Sequence, residues 1–141
     1  MATIKELNFN PDSFFGLKFP LEYKSDDGGF FPRARTLREQ AFSNLKNLIL
    51  TNKGERVGQP DFGCDISSLL FEQITEETGQ QIKSSIQDAV ENWLPYITIA
   101  DVFVTFQDSQ PNAIYIAVDF TVDVDDPNAV QTITFTFNTG I

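Results

Sequence analysis

Apolar Leu37, Ala41, Leu45, Leu48 and Ile49, followed by polar Asn52, fall at helical spacing, while Arg38, Glu39, Gln40, Asn44 and Lys46 fall on other faces. This pattern predicts an amphipathic helix over residues 34–52, with Asn52 and Lys53 in its last turn and Gly54 closing it. A second stripe, Ile82, Ile86, Ala89, Val90, Trp93 and Leu94, predicts a helix over 75–94. Thr75 suits its N-cap, Glu76 and Glu77 its first turn, and Pro95 its stop. Trp93 is expected to pack in the core rather than hold a ligand. Between the two helices, "DISSLLFE" suits a short helix with Asp65 near its start.

From Tyr96 the period changes to two. Val102, Val104 and Phe106 alternate on one strand, and Ile114, Ile116, Val118, Phe120, Val122 and Val124 on the next, with "DSQPN" as the turn. "DDPN" then leads to Ile133, Phe135 and Phe137. The fold class that follows is α+β: two main helices and a short one packed on an antiparallel meander of three or more strands. Residues 34–141 form this single domain. Residues 1–33 read as an irregular, aromatic-rich N-terminal arm, interrupted by Pro11, Pro20, Pro32 and "DDGG". Its many aromatics predict an arm laid on the domain or on a neighbour, ordered mainly by other chains and open to protease near "KSDDGG" when isolated.

Composition narrows the functional class. The chain of 141 residues has a single cysteine, Cys64, which allows no internal disulfide and fits a reducing compartment. The first residues lack the apolar core of a signal peptide, and no run approaches the roughly 18 apolar residues of a membrane helix. A soluble protein made inside the cell is the expectation, with no membrane partner. Charge is uneven. Residues 1–56 hold nine of the ten Lys and Arg against seven acids, whereas residues 57–141 hold only Lys83 against thirteen acids. A surface of that sign repels phosphate backbones, which excludes nucleic acid as an expected partner. It either keeps the protein soluble or steers a basic protein partner.

Catalytic chemistry has little to build on. With no histidine, Ser-His-Asp and Cys-His arrangements are excluded, as is a His-ligated metal, and one cysteine makes no zinc site. No Gly-rich nucleotide-binding pattern occurs. No cofactor, metal or catalytic residue is therefore assigned. The one alternative is a peptidoglycan-cleaving glycosidase that pairs Glu55 with Asp61 or Asp65.

The stretch "LTNKGERVGQPDFGCDISSLLFE" reads as a joint. Gly54 and Gly63 permit turns, Pro60 fixes the backbone, Phe62 anchors it, and Glu55 and Arg56 supply directional bonds. Those bonds either stay internal, between the two side chains or to nearby backbone, or reach a neighbouring protein. The string closely resembles the signature of the baseplate wedge and sheath-initiator family of contractile phage tails and related injection systems. That signature is a helix ending in Leu50 and Thr51, then Gly54 to Arg56, Pro60, Phe62 with Gly63, and Leu69 to Phe71. "GLKFP" and "GGFFPRAR" resemble the family's N-terminal arm.

The resemblance implies a structural protein of the tail baseplate, assembled in the host cytoplasm. At least one family member carries a lysozyme label. The implied partners are baseplate wedge proteins, the tail sheath protein and the tail tube, with six copies per ring. It also implies a sheet that trades strands with sheath subunits. The last strand suits that role: Thr132, Thr134 and Thr136 fall on one face, Ile133, Phe135 and Phe137 on the other, and no charged side chain follows Val130. A strand so unguarded either lies inside the sheet or has its edge filled by a partner. A generic soluble binding module is the remaining possibility.

Overall fold

The computed structural model of the chain describes residues 15–19, 21, 31–72, 75–106, 113–123 and 128–138. Most of the arm, including "DDGG", the "DSQPN" turn and Val124, lies outside them. The elements run β1 (Gly16–Leu17), β2 (Arg33–Ala34), α1 (Leu37–Leu50), α2 (Ile66–Leu70), α3 (Glu76–Trp93), β3 (Ile97–Phe106), β4 (Ala113–Val122) and β5 (Gln131–Asn138). This is the expected α+β order, with the addition of a two-stranded ribbon, β1 on β2.

The ribbon corrects one boundary. The first helix begins at Leu37 rather than at residue 34, because Arg33 and Ala34 pair with Leu17 and Gly16. Thr36 caps the helix, accepting the Glu39 N–H at 3.2 Å, and Glu39 in turn accepts the Arg35 N–H at 3.0 Å. The base of the arm is held by its own domain. Lys18 pairs with Glu39 at 3.2 Å and the Phe19 N–H reaches the Ser43 hydroxyl at 3.1 Å.

The helix also ends earlier than expected. Leu50 is its last residue and Thr51 turns into extended backbone, so Asn52 is not part of the apolar stripe and Gly54 does not close the helix. Buried Ala41, Ser43, Leu45, Leu48 and Ile49 carry the packing face of α1. In α3, Thr75 caps as expected, accepting from Thr78 N–H, and Ile82, Ile86, Ala89 and Val90 are buried.

The sheet order is β3-β4-β5, antiparallel throughout. β4 is central. Its Ile114, Ile116, Val118, Phe120 and Val122 all face the core with α1, α2 and α3. β3 carries a bulge between Ile99 and Asp101 that reading by alternation misses, and the Val102, Val104, Phe106 face begins only after it. Asp123 donates its N–H to the Tyr96 carbonyl at 3.1 Å. The alternation of antiparallel ladders then fixes the rest. Odd-numbered residues of β4 direct their backbone groups at β3, and even-numbered residues direct theirs at β5. Given the pairing of Val118 with Ile133 and of Ile116 with Phe135, the backbone groups of Thr132, Thr134 and Thr136 point away from β4.

Candidate functional site

The joint is a loop fastened at two levels. The Gly54 N–H bonds to the Pro60 carbonyl at 2.7 Å, and the Cys64 N–H bonds to the Thr51 carbonyl at 2.9 Å. Between them the chain swings outward, and Val57 is fully exposed at the tip. Gly54 and Gly63 both have positive φ, 90° and 122°, which side chains resist. At Gly63 a Cβ would also be driven into the Thr51 carbonyl.

Glu55 and Arg56 do not pair with each other. Glu55 accepts the Asn52 N–H at 3.0 Å on one oxygen and the Asn52 amide at 2.9 Å on the other, which clamps the turn after the helix. Those bonds, from the Asn52 backbone first and its side chain second, hold the Glu55 carboxyl below its ordinary value. Arg56 instead lays its guanidinium over the Phe62 ring, 3.8 Å from the centroid. Phe62 is buried and meets Trp93 edge to face at 5.2 Å. Trp93 packs against the core as expected, although it is only partly buried.

Sequence reasoning misses four contacts of this site: the Thr51 carbonyl with Cys64, Asn52 with Glu55, Ser67 with Asn52, and Trp93 with Phe62. Ser67 donates to the Asn52 Oδ1 at 2.6 Å and so ties α2 to the joint. An Asn followed by Glu three residues on, just past a helix, was the available signal, since such side chains bond nearby backbone.

The three carboxylates offered for a glycosidase all lie exposed at the surface. A general acid requires burial that raises its pKa. Glu55 is exposed and shifted the opposite way, and Asp61 and Asp65 are exposed too. Cys64 is buried, and burial pushes its thiol up to about 12, far from a reactive thiolate. Among the described residues, no group of three metal-ligating side chains occurs, and no helix is long and apolar enough to cross a membrane.

The second candidate region is β5. Among the described residues it pairs with β4 alone and forms one edge of the three-stranded sheet. Ile133 and Phe135 are buried and Phe137 partly so, while Thr132, Thr134 and Thr136 are exposed. Thr132 donates its hydroxyl to Asp119 at 2.6 Å across the outer face. Among the described residues, no bond occupies the outward N–H groups of Thr134 and Thr136.

The family model described as "Baseplate wedge protein gp25" matches residues 35–127. Baseplate wedge protein gp25 of Enterobacteria phage T4 is 40% identical over 65 residues, which is 45% of this chain and 49% of the phage protein. The chain thus spans about half the length of the curated relative it matches. Among solved structures, a Geobacter sulfurreducens protein provisionally described as a tail lysozyme has a TM-score of 0.64 at 24% identity, covering 73% of this chain and 91% of that one. A chain of the anti-feeding prophage baseplate gives 0.58 at 18%, covering 89% and 85%. A chain of the type VI secretion baseplate complex gives 0.59 at 19%, covering 72% and 93%. These three likenesses establish a common fold.

Proposed function

Because the chain belongs to the baseplate wedge protein gp25 family, we propose that it is a non-enzymatic building block of a contractile tail baseplate that joins the wedge and templates the first ring of sheath subunits. It does so by accepting a sheath strand along β5. The observation that carries this reading is the edge of β5, which is bare among the described residues. Outward N–H and C=O groups at Thr132, Thr134 and Thr136 stand on an uncharged strand, where proteins that must stay alone place charge, proline or a bulge. Backbone bonds from an added strand supply affinity, and the alternating side chains supply register.

The assembly partners proposed are neighbouring wedge proteins, the tail sheath protein and the tail tube, with six copies in the ring. The six-fold symmetrised anti-feeding prophage baseplate, which contains a chain of this fold, supports that number. The wedge contact is assigned to the outer turn of the joint, where Val57 stands clear of its own domain while the bonds of Glu55 and Arg56 are internal.

Thr134→Pro tests the reading. Its N–H points away from β4, so proline removes an edge donor and leaves the internal ladder whole. The folded variant is expected to lose sheath nucleation in a polymerisation assay with purified sheath protein. Nucleation equal to wild type overturns strand addition at β5. A peptidoglycan zymogram is expected to show no clearing.

A further inference from the structure

The sheet has two edges, and among the described residues the β5 edge is the one left bare. We propose that Lys83 and Asp101 guard the β3 edge, so that the sheet can be extended at β5 alone. The proposal rests on the reading of β5 as a docking edge and concerns what makes that docking one-sided. The alternation that turns Thr134 outward on β5 turns Ile97, Val102, Val104 and Phe106 outward on β3. α3 runs beside this edge, leaving a groove of about 450 Å³ lined by Gly79, Gln80, Lys83, Val102 and Phe106. A foreign strand would find space there. Three features oppose it. The Ile97 N–H is taken by the Leu94 carbonyl at 2.9 Å. The bulge between Ile99 and Asp101 breaks the regular spacing of donors and acceptors. Finally, Asp101 Oδ1 accepts both its neighbour's Val102 N–H at 2.8 Å and Lys83 Nζ at 2.7 Å. The pair therefore occupies an outward donor in the middle of the edge and anchors it to α3.

One-sidedness matters because of symmetry. A bare edge that meets its own copy, β5 on β5, closes into a dimer and stops. A bare β5 meeting a bare β3 is head-to-tail and leaves a free edge at each end, so it grows beyond a dimer, without limit unless its rotation closes a ring. The guard thus keeps a protein with one sticky strand from polymerising on itself. Removing it should let β5 of one copy add to β3 of the next.

The test compares wild type with Lys83→Ala/Asp101→Ala by sedimentation velocity over a concentration series. Wild type is expected to show nothing larger than a dimer. The double variant is expected to form larger species whose average mass climbs with concentration, and adding Thr134→Pro is expected to abolish them. A double variant that stops where wild type stops overturns the guard. So does growth that survives Thr134→Pro, because the contact is then not β5 on β3. If circular dichroism shows the double variant unfolded, Lys83→Met alone decides by the same criterion, since it leaves the Asp101 bond to Val102 in place. The sheath assay with Thr134→Pro reports separately on the docking edge. Nucleation that persists there, alongside growth of the double variant, sinks the docking reading and leaves the guard standing.

Discussion

Gly63 shows how narrowly the joint is specified. Its φ of 122° and its contact with the Thr51 carbonyl leave no room for a side chain, whereas Gly54, at φ 90°, has open space where a Cβ would go. Gly54→Ala should therefore cost about 1–2 kcal/mol from backbone conformation alone. Gly63→Ala should cost more, because the opposing atom is backbone and cannot swing aside. Urea unfolding of the two variants checks the ordering. Arg56 contributes through the Phe62 ring and not through Glu55, so Arg56→Ala should lower stability by roughly 0.5–2 kcal/mol. Glu55→Ala should not reproduce that loss through Arg56. Glu55 has its own signature. Its folded pKa lies below the ordinary 4.5, so its contribution is complete above that value and disappears as the pH falls through the lowered one. Unfolding midpoints of wild type and Glu55→Gln should then converge as the pH falls below 4.5 and through the lowered folded value.

At the scale of elements, the capping pair of α1 offers a direct check. Thr36→Ala should cost about 1 kcal/mol, read as a lower melting temperature, because it orphans the Glu39 N–H. That boundary also marks where sequence reading stops working. β4 was legible because five consecutive even positions are apolar and all are buried, so period and burial agree. The start of α1 was blurred because Arg33 and Ala34 pair with a distant segment, and pairing at a distance leaves no mark on local periodicity. Its end was blurred because Asn52 fits the helical spacing yet is drawn out by the Glu55 carboxylate. The bulge in β3 was hidden because Ala100 neither breaks the β pattern nor signals a turn. The turns of this loop are legible in Gly54 and Gly63, both of which have positive φ. The partner of each charge is not, since Glu55 and Arg56 are sequence neighbours whose side chains bond in different directions.

The whole molecule carries a formal charge of −10, concentrated after residue 56. Helix α3, beside β3, presents exposed Asp88 and Glu91, while Asp119 of β4 bonds Thr132 of β5, a strand that is itself uncharged. This arrangement separates two roles. The uncharged edge supplies short-range backbone bonds, which salt hardly screens, while the acidic surround supplies a long-range field, which salt screens over about 8–10 Å at ordinary ionic strength. A field of that kind accelerates encounter more than it deepens the bound state. If a basic segment of the sheath protein is steered to β5, the rate of nucleation should fall steeply as salt is raised from low to physiological levels. Dissociation of the formed complex should change far less. Neutralising Asp88 and Glu91 to Asn and Gln should slow association at low salt, where the field reaches across the sheet, and flatten the salt dependence, while changing the unfolding free energy by no more than about 0.5 kcal/mol, as befits exposed positions. Stopped-flow association across a salt series measures both. An association rate indifferent to salt would assign the acids to solubility alone, with recognition confined to the strand itself.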